Sequence, residues 1–227
     1  MKANSQKLFV GVDLGGRKKA TTGLCVLQAL DGKPQLFQEY CKTCRDIKSS
    51  DVFKIIRPYL KKIGVIAVDG PLTLGKGKGL MRLYEKFLST KIFRQEKVTP
   101  LPPALMPELS VEGRELVEKL KKYGFVLDKN LIETFPTLIK KICPDDFITQ
   151  FFQDKIPCKT ENQKSALICA ITAFLHSEFQ TRWLGYKDGF LFLPQMSFWR
   201  KDWRAKFYQA WMERERLKYH HLIINVF

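Results

Sequence analysis

Three short apolar runs each end in an acidic residue and then in strand-breaking residues, and this repeat constrains the fold more than any other feature. The runs are residues 8–12, 65–68 and 131–132, and the acids that follow them are Asp13, Asp69 and Glu133. Apolar runs of this length, closely followed by glycine or proline, predict buried β-strands. A carboxylate at the end of a buried strand is costly unless a partner or a metal ion compensates its charge. The three acids therefore predict one shared site.

The segment between the first two acids predicts how the strands are arranged. Residues 22–27 and 35–40 follow the first run as two further strands, with a hairpin signal at Asp31 and Gly32. Residues 51–60 have helical spacing and lead into the second acid-ending strand, which makes that strand parallel to the first. We therefore predict an α/β fold in which a three-strand antiparallel meander continues into parallel strands, with helices flanking this mixed sheet.

The most apolar helix of the sequence covers residues 161–179. Apolar side chains cover most of its surface, which predicts that the helix is buried against the sheet. Glu161 lies one turn before Ser165, so the two side chains are on the same side of this helix. A short strand is predicted further on, at residues 189–194.

The last part of the chain combines aromatic and basic residues. Its aromatic residues include Trp199, Trp203, Phe207 and Trp211, and its cations include Arg200, Lys201, Arg204, Lys206 and Arg214. The spacing of the aromatic residues predicts a helix that docks on the core through one face, with its cations in solvent. The alternative is a nucleic-acid contact, in which rings stack on bases and Arg200 and Arg204 bind phosphates. We predict one domain over residues 1–195 and a C-terminal extension over residues 196–227.

The net charge of the chain indicates what kind of partner it binds. The 227 residues carry a formal net charge of +16, which favours nucleic acid as the partner and places a membrane surface second. No apolar run approaches membrane-spanning length, and the N-terminus lacks the apolar region of a signal peptide. We therefore predict a cytoplasmic protein with no membrane partner. The sequence leaves the oligomeric state open.

The cysteines are also consistent with a cytoplasmic location. Cys41 and Cys44 form a CxxC pair, but a structural zinc site needs two further ligands, and no second pair has suitable spacing. Reduced, structural thiols are therefore favoured over a zinc site for the six cysteines of the chain.

Two glycine-rich turns carry cations that are candidates for binding phosphate. Arg17 and Lys18 follow the turn after Asp13, and Lys76 and Lys78 alternate with glycines further along the chain. Glycines allow backbone amides to approach a phosphate, and lysines add positive charge. The spacing is not that of a P-loop, and a flexible basic loop remains the alternative. Arg82, at the start of the next predicted helix, is a further candidate.

The order of elements and several short motifs resemble a known family. The order looks like the ribonuclease H-like fold, and the residues resemble domain-of-unknown-function family 429, whose members are predicted to be RNase H-like nucleases. The matching pieces are residues 11–13, 67–72, Arg82 with Glu85, 132–136, 166–173 and 188–194. They occur in the expected order over roughly residues 8–194. The tail after Pro194 lies outside the resemblance.

The resemblance implies a nuclease that hydrolyses phosphodiester bonds of DNA or RNA with Mg²⁺ or Mn²⁺ as cofactor. In such sites two divalent ions held by carboxylates activate a water and stabilise the leaving oxygen. Asp13 is expected to bridge the ions, and Asp69 and Glu133 are each expected to hold one ion or orient its water. The family usually has an Asp where this chain has Ser165, so Glu161 is expected to complete the set.

Two other functions remain open at this point. Residues 11–16 also resemble the first phosphate-binding motif of sugar kinases and actin-like ATPases, although those proteins need two such domains and this chain has no convincing second copy. A catalytically inactive nucleic-acid-binding protein would keep the basic tail and lose its chemistry through Ser165. The sequence does not distinguish DNA from RNA, or an endonuclease from an exonuclease.

Overall fold

A computed structural model describes residues 7–17, 19–30, 32–36, 44–76, 78–152, 158–217 and 221–225. Within these residues the strands are β1 (Leu8–Asp13), β2 (Thr22–Leu30), β3 (Lys33–Leu36), β4 (Cys44–Ile47), β5 (Ile63–Asp69), β6 (Leu131–Thr134), β7 (Thr181–Tyr186), β8 (Gly189–Pro194) and β9 (Ile223–Ile224). The α-helices are α1 (Val52–Ile56), α2 (Leu83–Leu88), α3 (Lys91–Gln95), α4 (Pro107–Lys121), α5 (Pro136–Ile142), α6 (Glu161–Ser177) and α7 (Lys201–Glu213).

All the described strands belong to one mixed sheet. The strand order is β3-β2-β1-β5-β6-β8-β7-β9, and β4 also pairs with β2. The strands β1, β2 and β3 are antiparallel neighbours, whereas β1, β5, β6 and β8 are parallel. The predicted α/β fold with a mixed sheet flanked by helices is therefore confirmed. Because β1, β5 and β6 run in the same direction, their C-terminal ends lie at one edge of the sheet.

Some predicted elements differ in extent from those of the structure. The strand predicted over residues 35–40 begins earlier, as β3, and residues 37–40 lie outside the described part of the chain. The predicted hairpin is present, since Leu30 pairs with Lys33 and Gly32 has a φ of 72°. The helix predicted over residues 51–60 is α1 followed by a 3-10 turn that contains Pro58. Strands β4, β7 and β9 were not predicted.

Helix α6 lies directly on the sheet, and two glycines allow this close approach. A Cβ atom on Gly11 would lie 2.0 Å from the carbonyl oxygen of Ala166, and one on Gly23 would lie 2.1 Å from that of Asn162. The helix is buried over most of its length, because its apolar residues face the sheet on one side and α5 and the chain around it on the other. No helix in the described residues is long and apolar enough to cross a membrane.

The opposite face of the sheet has its own apolar layer, formed with α1 and α4. On β1, Phe9 packs on the α6 side, against Phe174, and the alternate residues Val10 and Val12 pack on the α4 side. Side chains alternate between faces along a strand, so Gly11 and Asp13 share the α6 face with Phe9. The same alternation decides which face of the sheet the side chain of each strand-end acid points to.

The segment after Pro194 packs on the α6 side of the sheet. In α7, Trp203 and Phe207 are fully buried and contact Phe93. The indole Nε1 of Trp199 donates a hydrogen bond of 2.7 Å to the carbonyl of Pro194. Strand β9 then pairs with β7 at the far edge of the sheet. The aromatic face of this helix thus packs in the protein core, and the division of the chain at residue 195 stays a prediction.

Candidate functional site

The three strand-end acids line one cavity at the C-terminal edge of the parallel strands. The cavity has a volume of about 320 Å³, and besides Asp13, Asp69 and Glu133 its walls include Arg82 and Tyr84. The structure therefore brings the three acids together, as the repeated strand endings predict. Their surroundings differ, however, and these differences decide what each carboxylate can bind.

Asp13 and Asp69 lie side by side, since they are register partners on the parallel strands β1 and β5. Burial raises the pKa of Asp13 to about 7; Lys140 opposes this rise and Asp46 adds to it. Burial also raises the pKa of Asp69, and the charges of Asp13 and Glu133 raise it further. The two carboxylates thus repel each other in a partly dehydrated place, which is an arrangement that favours a bound cation.

Helix α6 covers this pair from one side. The Cys169 sulfur makes a hydrogen bond with the backbone of Asp69, and burial together with the charges of Asp69 and Asp13 raises the pKa of its thiol. Ser165 lies one turn before Cys169 on the same face of the helix. Ser165 therefore lies beside the aspartate pair, at the helix position where the resembled family usually has an Asp.

Lys140 of α5 extends to the same place. Its ammonium nitrogen Nζ lies 3.2 Å from the hydroxyl oxygen of Ser165 and 3.3 Å from Oε2 of Glu161. Its charge lowers the pKa of both Asp13 and Asp69, against the larger effect of burial. Lys140 is thus the cation that the described structure places next to the aspartate pair.

Glu161 is oriented towards lysines. Its carboxylate accepts hydrogen bonds from Lys140 and, at 2.6 Å, from Lys164, and its side chain is 71% exposed. These ion pairs lower the pKa of Glu161. The structure therefore places the predicted fourth ligand at the rim of the site, in a solvent-exposed ion pair.

Glu133 is the most completely bonded of the three strand-end acids. Its two oxygens accept hydrogen bonds from the guanidinium of Arg82, with one Nη2–Oε1 distance of 2.7 Å, and from the hydroxyl of Tyr84 at 2.5 Å. The backbone N–H of Leu72 donates a further bond of 3.1 Å. Burial raises the pKa of Glu133, and Arg82 opposes that rise.

Strand register explains why Glu133 is separated from the pair. The register partner of Asp69 on β6 is Thr134, whereas Glu133 is paired with Val68. Alternation along the strand directs Glu133 towards the opposite face from Asp69. The predicted metal ligands Asp13, Asp69 and Glu133 thus share a cavity. Only the side chains of the two aspartates point towards the same face of the sheet.

Arg82 is buried, with an exposed fraction of 1%, and links several elements of the cavity wall. Its Nη2 donates to Oε1 of Glu85 at 2.5 Å, and its backbone N–H donates to Oε2 at 2.7 Å. Its Nη1 also donates to Thr73 at 3.3 Å, and Thr73 in turn donates to the carbonyl of Asp188. Arg82 therefore acts within the wall as the counter-ion of two buried carboxylates.

The other predicted phosphate-binding cations are mostly bonded within the protein. Arg17 forms ion pairs with Glu112 and Glu115 of α4, and its bond to Glu115 is 2.7 Å long. Arg200 pairs with Asp202 at 3.1 Å.

Of the remaining candidates, Arg204 donates hydrogen bonds to the carbonyl oxygens of Trp199 and Ser197. Lys76 is exposed, whereas Lys18 and the side chain of Lys78 lie outside what the structure describes. The nucleic-acid-binding role predicted for these residues stays a prediction.

The glycine turn after Asp13 uses its amides internally. The N–H of Gly15 donates to the hydroxyl of Thr22 at 2.9 Å, and that of Gly16 donates to the hydroxyl of Thr21 at 3.0 Å. These amides are the groups that a phosphate-binding turn would present to a nucleotide. In this structure they close the hairpin between β1 and β2.

Three residues near the acids were not singled out from the sequence. Lys140 lies beside the aspartate pair, Tyr84 bonds Glu133, and Asp46 on β4 adds negative charge near Asp13. Asp46 also accepts hydrogen bonds from Thr160 and Gln163, which fix it to the start of α6. The only sequence signal for Tyr84 is its position between Arg82 and Glu85.

The aspartate pair has a donor set that suits a hard divalent cation. Mg²⁺ and Mn²⁺ prefer oxygen ligands, and Mg²⁺ retains several waters, so two carboxylates facing a cavity are sufficient protein ligands for one ion. Among the described residues, no group of three or more His, Cys, Asp or Glu side chains is arranged to hold a metal ion. Asp13 and Asp69 thus fit a single ion that keeps most of its waters.

Comparison of the chain with protein-family models, with curated proteins and with solved structures found no match.

Proposed function

We propose that this protein is a metal-dependent nuclease, which hydrolyses phosphodiester bonds of nucleic acid at the Asp13–Asp69 pair with Mg²⁺ or Mn²⁺ as cofactor. The observation that carries the proposal is the pair itself. Its two carboxylates are register partners at the ends of parallel strands, they face a cavity, and burial raises the pKa of both. Such perturbed carboxylates in a cavity are typical of functional sites.

The topology supports a ribonuclease H-like fold for this site. The antiparallel strands β3, β2 and β1 continue into the parallel strands β5 and β6, and α6 packs across β2, β1 and β5. This is the arrangement that the resemblance implies. Strands β8, β7 and β9 extend the sheet beyond it.

Each side chain of the site has a distinct part in the proposed reaction. Asp13 and Asp69 hold the cation, and a bound ion of this kind lowers the pKa of a coordinated water and neutralises charge on the phosphate. Glu133 and Arg82 form a rigid wall, because each carboxylate oxygen of Glu133 is already hydrogen-bonded. Thus the wall forms the part of the cavity at the end of β6 and the start of α2.

The charge of the chain supports nucleic acid as the substrate. A net charge of +16 attracts a polyanion from any direction, and the phosphate backbone supplies most of the affinity of such complexes. Lys140, whose side chain is partly exposed, adds positive charge that acts on both aspartates of the pair. The free thiols of the five described cysteines fit the proposed cytoplasmic location.

The proposal is tested by cleavage assays and metal titration of the full chain. Fluorescently labelled single- and double-stranded DNA and RNA are incubated with the protein in Mn²⁺ or in EDTA, and Mn²⁺ binding is measured by calorimetry. Asp13→Asn and Asp69→Asn should each lower the cleavage rate by roughly a hundredfold or more, the loss expected when charge stabilisation in the transition state is removed.

Glu178→Gln, an exposed change at the far end of α6, is the matched control and should leave both measurements unchanged. Equal cleavage by the wild type and by Asp13→Asn would contradict the proposal. Absence of Mn²⁺ binding, even with a short oligonucleotide present, would also contradict it.

One observation favours a catalytically inactive nucleic-acid-binding protein as the second candidate. The resembled family usually has an Asp in place of Ser165, and here the neutral serine hydroxyl receives a hydrogen bond from Lys140. Under this alternative the protein binds oligonucleotides, with a strong dependence on salt concentration, but does not cleave them. An ATPase of the actin or sugar-kinase type is disfavoured, because Thr21 and Thr22 accept the hydrogen bonds of the turn amides that would bind phosphate.

A further inference from the structure

The geometry points to Lys140 as a built-in second cation of this site, so that the protein uses one divalent ion where a related two-metal site would use two. We infer that the ion binds between Asp13 and Asp69, and that the Lys140 ammonium contacts the phosphate group of the substrate from the α6 side. This inference rests on the proposed nuclease function. It adds that one divalent ion binds at the site and that Lys140 contacts the substrate.

The position of Lys140 is fixed by the two helices that meet above the aspartate pair. Pro136 begins α5, and its ring fits the first turn, where the missing N–H costs nothing. Lys140 lies in the next turn, and its ammonium bonds Ser165 and Glu161 of α6 at 3.2 and 3.3 Å. These two bonds hold the ammonium about one helical turn beyond Thr137, which lines the cavity.

Ser165 makes this arrangement possible because it is neutral. An Asp at this position would add a third carboxylate beside the pair and would hold a second metal ion or bind Lys140 directly. The serine hydroxyl accepts the Lys140 hydrogen bond without cancelling its charge. The positive charge therefore remains available to the aspartate pair and to a bound phosphate.

The balance of charges around Glu161 leads to the same conclusion. Glu161 bonds Lys164 at 2.6 Å and Lys140 at 3.3 Å, so one exposed carboxylate is shared by two lysines. Lys164 therefore makes the shorter of the two contacts with Glu161. Lys140 has the longer of the two contacts with this shared carboxylate, and its charge also acts on both Asp13 and Asp69.

An ammonium at this place acts on ligands in two ways. It repels a second divalent cation, and it attracts the phosphate oxygens that such a cation would otherwise neutralise. The Lys140 side chain is 36% exposed, so its ammonium is accessible to a phosphate from solvent. Lysine binds phosphate as a compact point charge, which suits this role.

The test compares Lys140→Met with Lys164→Met, since both lysines bond the same carboxylate of Glu161 but only Lys140 bonds Ser165. The readouts are the number of Mn²⁺ ions bound per chain and their affinity, measured by calorimetry at pH 8 with Mn²⁺ alone, and the cleavage rate of a labelled oligonucleotide. Thermal unfolding verifies that each variant is folded, and Lys140→Arg retains the charge if Lys140→Met does not fold.

The wild type should bind one Mn²⁺ ion. Lys140→Met should bind it more tightly, by on the order of tenfold, because a nearby positive charge is removed. Its cleavage rate should nevertheless fall by roughly a hundredfold, because the phosphate loses a fixed cation. Lys164→Met should match the wild type in both readouts, and Lys140→Arg should retain most of the activity.

The double variant Lys140→Met/Ser165→Asp should bind two ions, because it exchanges the ammonium for a carboxylate. Two ions in the wild type, or a Lys140→Met variant with unchanged affinity and cleavage, would overturn the inference and leave the nuclease in place. Absence of both Mn²⁺ binding and cleavage in every variant would instead mean that the proposed function itself has failed.

Discussion

Glu133 and the Asp13–Asp69 pair line the same cavity, but they differ in how their negative charge is compensated. Glu133 is matched by the buried guanidinium of Arg82 and by two neutral donors. The two aspartates have one nearby ammonium, on Lys140, which Glu161 also binds. The carboxylate oxygens of Glu133 are therefore occupied by donors within the protein, whereas the negative charge of the two aspartates is only partly offset.

This difference teaches which acids are structural and which are available to a ligand. A buried carboxylate whose two oxygens are both fully hydrogen-bonded has no free lone pair in a favourable direction, so it contributes rigidity. A pair of carboxylates raised in pKa by burial and mutual repulsion is stabilised by any cation that enters. Three substitutions and one pH profile test this distinction, in order of decreasing effect.

The largest effect is expected from Arg82→Met. Removal of this guanidinium leaves the carboxylates of Glu133 and Glu85 buried without a counter-ion, which costs about 3–5 kcal/mol of the free energy of unfolding. Urea denaturation monitored by tryptophan fluorescence measures the loss. The control is Arg200→Met, which removes an exposed ion pair with Asp202 and should change stability little. A similarly small change for Arg82→Met would mean that Glu133 obtains its compensation elsewhere.

In contrast, Asp13→Asn is expected to increase the free energy of unfolding. At pH 8 in EDTA this change removes a carboxylate that burial disfavours, since the pKa of Asp13 is raised to about 7. The free energy of unfolding should rise by about 1–3 kcal/mol, because each unit of pKa shift corresponds to about 1.4 kcal/mol. The same substitution should abolish Mn²⁺ binding. A loss of stability would instead mean that the Asp13 carboxylate makes favourable bonds in the folded state.

The sequence predicted the acids better than it predicted their partners. The three strand endings are local patterns, so the periodicity of apolar residues and the following breakers were sufficient to place Asp13, Asp69 and Glu133 at one edge. Arg82 and Glu133 are 51 residues apart, and their pairing depends on where α2 begins relative to β6. No local pattern contains that information.

The same reason explains the missing parts of the site and the sheet. Lys140 bonds Ser165 and Glu161 only because α5 packs against α6, and a lysine in a short helix has no distinguishing pattern. Strand β4 is four residues long and contains Arg45 and Asp46, so it lacks an apolar alternation. Its pairing with β2 is decided by tertiary contacts.

The pH dependence of stability sharpens the contrast between the two clusters. In the folded protein Asp13 has a pKa of about 7, compared with 3.8 for its ordinary value. Between these two values the folded state binds more protons than the unfolded state, so stability decreases as pH rises. This residue alone contributes a slope of up to about 1.4 kcal/mol per pH unit. Urea denaturation in EDTA should give a flatter profile for Asp13→Asn; parallel profiles would exclude this assignment.

The smallest effect is expected from Glu161→Gln, which tests whether the predicted fourth ligand takes part in the site. Its carboxylate is mostly exposed and bonds two lysines, so its removal should leave the stability almost unchanged. Affinity for Mn²⁺ should stay within about twofold of the wild type, because screened surface charges contribute little. A tenfold or larger loss of affinity, measured beside Glu178→Gln as the control, would mean that Glu161 turns inward when metal binds. The two clusters would then differ in the mobility of their acids as well as in their charge balance.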